Sequence, residues 1–169
     1  MMGDELRGAL AQYLAEHNTM TLATCGAEGP AAAALFYVSD DQFRLYFLSE
    51  LKALHAVNLA REPRVAVTIH EDYRDWRLIQ GVQMRGEARA LTSPIEQARA
   101  LKLYLQKYPF LQELISSPRL AGELLTQKIG QSRFHLVEPH WMRWIDNEAG
   151  FGFRREWDLR AGQEMPREQ

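Results

Sequence analysis

At 169 residues, with 46% hydrophobic and 25% charged side chains and a formal net charge of −2, the chain has the composition of one ordinary globular domain. There is no basic excess to mark a nucleic-acid partner, and no apolar run reaches membrane-spanning length, so neither nucleic acid nor membrane is an expected partner. The single cysteine, Cys25, excludes an internal disulfide, and with no signal-like start a reducing, cytoplasmic setting is the expectation.

Residues 4–17 set Leu6, Leu10, Tyr13 and Leu14 on one helical face, with Asp4 and Glu5 at the favourable end, which predicts a covering helix. Thr19 to Cys25 alternates Met20 and Leu22 against Thr21 and Ala23, a strand, and Gly26 to Pro30 turns the chain into a return strand over Ala31–Val38. Ala31–Ala34 leave a shelf there. It serves either tight packing on the first helix or a flat ligand lying against the strand. Ser39 to Gln42 turns into Phe43–Leu48, a second hairpin.

Leu45 to Val67 is the block around which the chain is organised: strand, short helix, strand. Ser49 is the expected N-cap and Pro63 the stop. Lys52 and His55, three apart, fall in or near the first turn, where cations oppose the helix dipole unless an anion sits between them. The alternative leaves Lys52 in water and His55 packed.

After a Val65–His70 strand and a polar loop over 71–77, Leu78–Leu91 reads with period two. It places Val82, Met84 and Ala88 with Gln80 on one face and Gln83, Arg85, Glu87 and Arg89 on the other, with a bend expected at Gly81 or Gly86. Ser93-Pro94-Ile95-Glu96 has the form of a capping box and opens a helix to about Lys107. One or two short helices around Pro118 complete a helical insert over about 93–127. Ser132–Val137 and Trp141–Ile145 are two expected final strands, and the chain beyond about Leu159 is expected to be loose. About seven hairpin-ordered strands with inserted helices predict a mainly β, α+β single domain over 1–169, an antiparallel barrel or strongly coiled sheet.

Four stretches together carry a resemblance: the Thr-Leu-Ala-Thr strand with its Gly29-Pro30 turn, the Leu45–Val67 block with Lys52-Ala-Leu-His55-Ala56, Gln80–Leu91, and Trp141–Trp157 with Gly150-Phe-Gly152. From about Thr19 to Trp157 the chain resembles the pyridoxamine 5′-phosphate oxidase-like family, the FMN-binding split barrel, and most of all its small bacterial members. The resemblance implies an FMN-dependent oxidoreductase that is a homodimer with flavin at the interface. Ser49, Lys52 and His55 would grip the phosphate, and the ring would lie along Leu35, Phe36, Tyr37 and Leu48, with backbone groups serving its polar edge. The other protomer would bring Gln80 or Gln83, Trp144, and Arg154 or Arg155. The substrate or electron donor would be a small molecule. Alternatives on the same fold are a non-catalytic flavin- or haem-binding module and a deazaflavin-dependent reductase. Where well-studied oxidases of the family carry a second-strand arginine and a further lysine, this chain has Ala33 and His55.

Rival chemistry is thin, and no metal site is expected. Cys25 ends a strand with no histidine close in sequence, which favours a buried thiol. His70-Glu71-Asp72 lacks the spacing of a helical zinc site, and His135 and His140 flank an expected turn at Glu138-Pro139. Trp141 and Trp144, three apart on a strand, face opposite ways, so that one can be core and the other line a cleft. Arg85, Glu87 and Arg89 form a solvated or cross-strand paired face.

Overall fold

The structure, a computed structural model, describes residues 3–116 and 130–165. Helix α1 (Asp4–Glu16) leads into β1 (Thr19–Gly26), β2 (Gly29–Phe36), β3 (Val38–Ser39) and β4 (Leu45–Glu50). The short α2 (Leu54–Leu59) precedes β5 (Arg64–His70) and β6 (Gln80–Ala90). Then come α3 (Pro94–Lys107), α4 (Pro109–Ser116), β7 (Ser132–Asp146), β8 (Arg154–Asp158) and β9 (Gln163–Glu164). The rest of the expected helical insert, around Pro118 and on to Gln127, lies outside the described residues.

All strand pairs are antiparallel, in the order β2-β1-β5-β6-β7-β4-β3, with β8 and β9 added beyond β7. Because β3 follows β2 after the single residue Tyr37, the two ends of this path are joined by the chain itself, which curls the sheet into the split barrel. Strand β2 hydrogen-bonds to β1, and no other strand among the described residues pairs with it.

Period-two alternation decides what goes inside. Met20 and Leu22, Leu45 and Phe47, Val65, Val67 and Ile69, Val82 and Met84, and Val137, Met142 and Trp144 all point inward, and α1 adds Leu10, Tyr13 and Leu14 to the same cluster. A second cluster lies outside the barrel, where Tyr46, Phe134 and Leu136 meet Ala100, Tyr104 and Tyr108 of the α3 region. Lys107 at the end of α3 donates to the carbonyls of Leu14 (3.0 Å) and His17 (2.6 Å), which closes the C-terminal end of α1.

The anticipated bend occurs at Gly86. The register shifts between Arg85 and Gly86, and a β-carbon there would lie 2.3 Å from the carbonyl oxygen of Glu138. His140, between Pro139 and Trp141, is the extra residue on the partner strand. Residues 132–146 are therefore one 15-residue strand rather than two, and Glu138-Pro139 is a bulge rather than a turn. A strand can carry proline at such a bulge because no ladder bond needs its missing N–H.

Other expectations are corrected. Ser49 lies in β4, and Ala53 is the N-cap of α2, which ends at Leu59, well before Pro63. Ser93 makes no side-chain cap; Glu96 is drawn instead to Arg89 across 2.6 Å. Cys25 is exposed, since its place on β1 points away from the Thr24 row, which is buried and held by Asn58. Trp157 of β8 is one of the most deeply buried side chains, and β9 adds two exposed residues beyond it.

Candidate functional site

The expected anion seat is partly assembled. Ser49 continues the inward row of Leu45 and Phe47, and its Oγ lies 2.6 Å from Nε2 of His55 on α2. Phe47 stacks on His135 at 4.9 Å and 12°, and meets the His55 ring edge-on at 6.1 Å. His135, 1% exposed, has Nδ1 3.0 Å from the Arg133 carbonyl, so that nitrogen carries the hydrogen. Burial lowers the pKa of His55 from the ordinary value, and burial together with the neighbouring His55 does the same for His135, which favours two neutral imidazoles.

Lys52 does not share this face. It precedes α2, its side chain is 79% exposed, and Nζ lies 3.4 Å from the Glu50 carboxylate. A hydroxyl and an imidazole in contact are groups that can hold a phosphate. The phosphate end of FMN therefore fits this place, with fewer fixed charges than an arginine at position 33 would give.

The second part of the site comes from strand register. On the outward face, Ala34, Thr21, Thr68, Gln83 and Arg143 form one row across five strands; Ala32, Ala23, Ala66, Arg85 and Trp141 form the next. The small residues make a floor bounded by the larger ones, with an open cavity of about 470 Å³ over Thr21, Ala66, Gln83 and Trp141. Arg143 is held by Glu156 at 2.7 Å and reaches Gln83 at 3.3 Å, and Arg85 lies 4.0 Å over the Trp141 ring. The alternating exposure of β2 leaves Ala32, Ala34 and Phe36 open beside this floor. A flat apolar ring with a polar edge matches that surface, since methyl and methylene groups cover its face and an amide meets its edge.

Of the residues expected to line a ring, Phe36 is 57% exposed and Leu35 is half-buried against the core. Tyr37 is corrected: its side chain is fully buried and its hydroxyl donates to Leu14. Leu48 packs beneath α3, and two of the backbone groups expected to serve a ligand, the Phe36 carbonyl and the Leu48 N–H, are engaged. The Tyr104 hydroxyl donates to the Phe36 carbonyl at 2.6 Å and accepts from the Leu48 N–H at 3.3 Å.

Gln83, not Gln80, reaches the floor; Gln80 faces the other way and bonds Asp146 and Glu148. Trp144 is core, edge-on to Tyr13 at 4.9 Å, and Trp141 is the cleft tryptophan. Arg155 lies against Glu164 and Phe153, and Arg154 is exposed at the far end of β8; Glu156 is the β8 residue that meets the floor. The sequence puts Arg85 on a solvated or cross-strand paired face and leaves open which of Trp141 and Trp144 lines a cleft; it does not single out Arg143 or Glu156. Among the described residues no group of three or more His, Cys, Asp or Glu is arranged to hold a metal ion.

Comparison with known proteins adds the following. A family model described as pyridoxamine 5′-phosphate oxidase matches residues 6–133. A UPF0306 protein of Enterobacter sp. (strain 638) is 30% identical over 159 residues, covering 93% of this chain and 99% of that protein. The conserved hypothetical protein Rv2991 from Mycobacterium tuberculosis has a TM-score of 0.68 at 23% identity, over 88% of this chain and 87% of that one. The haem-binding protein from Mycobacterium smegmatis also reaches 0.68, at 20% identity, over 95% of this chain and 61% of that one.

Proposed function

Since the chain belongs to the pyridoxamine 5′-phosphate oxidase family and groups with the UPF0306 proteins, we propose that it is an FMN-dependent oxidoreductase. It acts in the cytoplasm as a homodimer, on a small-molecule substrate or electron donor. The observation that carries this reading is the register that lines a flat floor of Ala and Thr side chains up with Gln83 and Arg143. When bound, FMN supplies hydride or electron-pair transfer. The chain's own residues hold and orient it: Ser49, His55 and Lys52 take the phosphate, and the floor of a second copy covers the ring while Gln83 offers its amide to the polar edge. Excluding water from the ring is the other task of that apolar floor.

Purification from the native host with the bound ligand intact tests this. A yellow protein with a flavin spectrum, bleached with turnover by NADH or NADPH, is the expected result. A deazaflavin in the extract would move the assignment to a deazaflavin-dependent reductase on the same fold. A second reading, a non-catalytic haem- or flavin-binding module, draws on the similarity in shape to the mycobacterial haem-binding protein. A Soret band on haem addition, with flavin binding absent or unreduced by any donor, would replace the first reading by this one.

A further inference from the structure

The contact between Ser49 and His55 has a consequence for any anion that uses them. At 2.6 Å one of the two hydrogens available to an incoming ligand is spent inside the pair: a neutral imidazole either accepts the Ser49 hydrogen or donates its own to Ser49 Oγ. A phosphate arriving at this neutral pair meets one donor where the side chains suggest two. A protonated His55 donates to Ser49 Oγ and leaves the Ser49 hydrogen free, while adding a positive charge. We propose that the seat takes a phosphate monoester together with a proton, and that His55 is the group that gains it. This inference rests on the reading of the seat given above.

The surroundings support it. His55 lies edge-on to Phe47, which itself stacks on the buried His135, so the ring is packed against the core on that side and its Nε2 is held at Ser49. On the strand-to-helix turn, Glu50 and Lys52 neutralise each other at 3.4 Å. Strand β7 offers Arg133 and His135. The β1–β2 hairpin, packed on α2, brings Cys25 and Glu28, and Arg61 follows the helix. The charged residues of β6 are engaged elsewhere: Arg85 with Trp141, Glu87 with Arg160 and Arg89 with Glu96. Among the described residues no carboxylate is bonded to His55, so the ligand's own negative charge is the partner that a proton there would find.

Two measurements on the whole protein decide the matter. Ring-proton NMR of the histidines, titrated with and without saturating inorganic phosphate, reads the seat directly, whatever the cofactor. The expected result is a rise of one pH unit or more in the His55 midpoint. An unchanged midpoint overturns the proposal. Fluorescence titration with FMN and with riboflavin at pH 6 and pH 8 reads the same linkage through the cofactor. FMN should bind about tenfold tighter at pH 6, riboflavin equally at both, and His55→Gln should abolish the FMN difference without altering the circular dichroism spectrum. A pH dependence that survives in His55→Gln assigns the proton to the phosphate itself and overturns the role of His55. Failure of both flavins to bind at either pH, with the NMR shift present, removes the flavin reading and leaves the proton-linked phosphate seat standing.

Discussion

The Tyr104 hydroxyl donates to the carbonyl of Phe36 across 2.6 Å, fastening helix α3 to the last residue of β2. The same oxygen accepts from the Leu48 N–H, so one phenol spans the gap between β2 and β4. Tyr104→Phe removes both bonds while keeping the packed ring. The expected loss is about 1 kcal/mol in urea unfolding, with faster amide exchange at Leu48; unchanged exchange there would show that the bridge carries no stability.

Gly86 and Gly8 give opposite outcomes for the same substitution. At Gly86 a methyl group meets backbone, 2.3 Å from the Glu138 oxygen and 2.8 Å from the Pro139 Cα, so Gly86→Ala must displace the bulge. A loss of about 1–3 kcal/mol or more is expected. Gly8, within α1, has nothing within 4 Å of a built β-carbon, and Gly8→Ala should gain about 0.5–1 kcal/mol through helix propensity. Thermal unfolding of the two variants should bracket the parent.

Stability should rise and then fall on the alkaline side. Burial pulls Lys107 down from 10.5 to about 8, so between those values the unfolded chain binds more protons than the folded one and stability increases with pH. Burial pushes the phenols of Tyr13, Tyr37 and Tyr104 above their ordinary value of 10.0 and Tyr108 to about 12. Above pH ~10 the unfolded tyrosines release protons that the folded ones keep, and stability drops. Denaturation midpoints from pH 7 to 11 check this; Lys107→Met should flatten the rise and keep the fall.

Binding of FMN should separate the residues of the seat. His55→Ala is expected to weaken it about tenfold, equivalent to ~1.4 kcal/mol, because His55 is half-buried and fixed beside Ser49. Lys52→Ala should weaken it less than about threefold, since an exposed ammonium shared with Glu50 is screened by salt. Titrations with FMN and riboflavin give the comparison, and a larger loss for Lys52→Ala would place the phosphate outside the Ser49–His55 pair.

The fold was legible because its information is local: alternation sets the inward rows of β1, β5 and β6, proline opens α3, and Gly86 marks the bend. The Ser49–His55 contact of the candidate site was legible for the same reason, since the two are six residues apart. The floor was not, because it is a product of register. Ala34, Thr21, Thr68, Gln83 and Arg143 come from five strands, and only their alignment makes them neighbours. Trp144 and Tyr37 misled because aromatic residues serve cores and clefts equally well, and one strand position decides which. The lone thiol misled in the opposite direction: cysteine usually packs inside, but Cys25 has outward parity on its strand.

Strand β2 has eight residues, none of them charged, and among the described residues it pairs with β1 alone. Natural sheet margins are guarded by lysine, by bulges or by proline, and here, among the described residues, Pro30 guards the hairpin end while the Tyr104 hydroxyl caps the Phe36 carbonyl at the other. A solution of separated protomers would accordingly drift toward cross-β polymers, nucleated from this bare margin. Thioflavin fluorescence should grow with time and protein concentration under dilute denaturant, and Ala32→Lys should delay its onset.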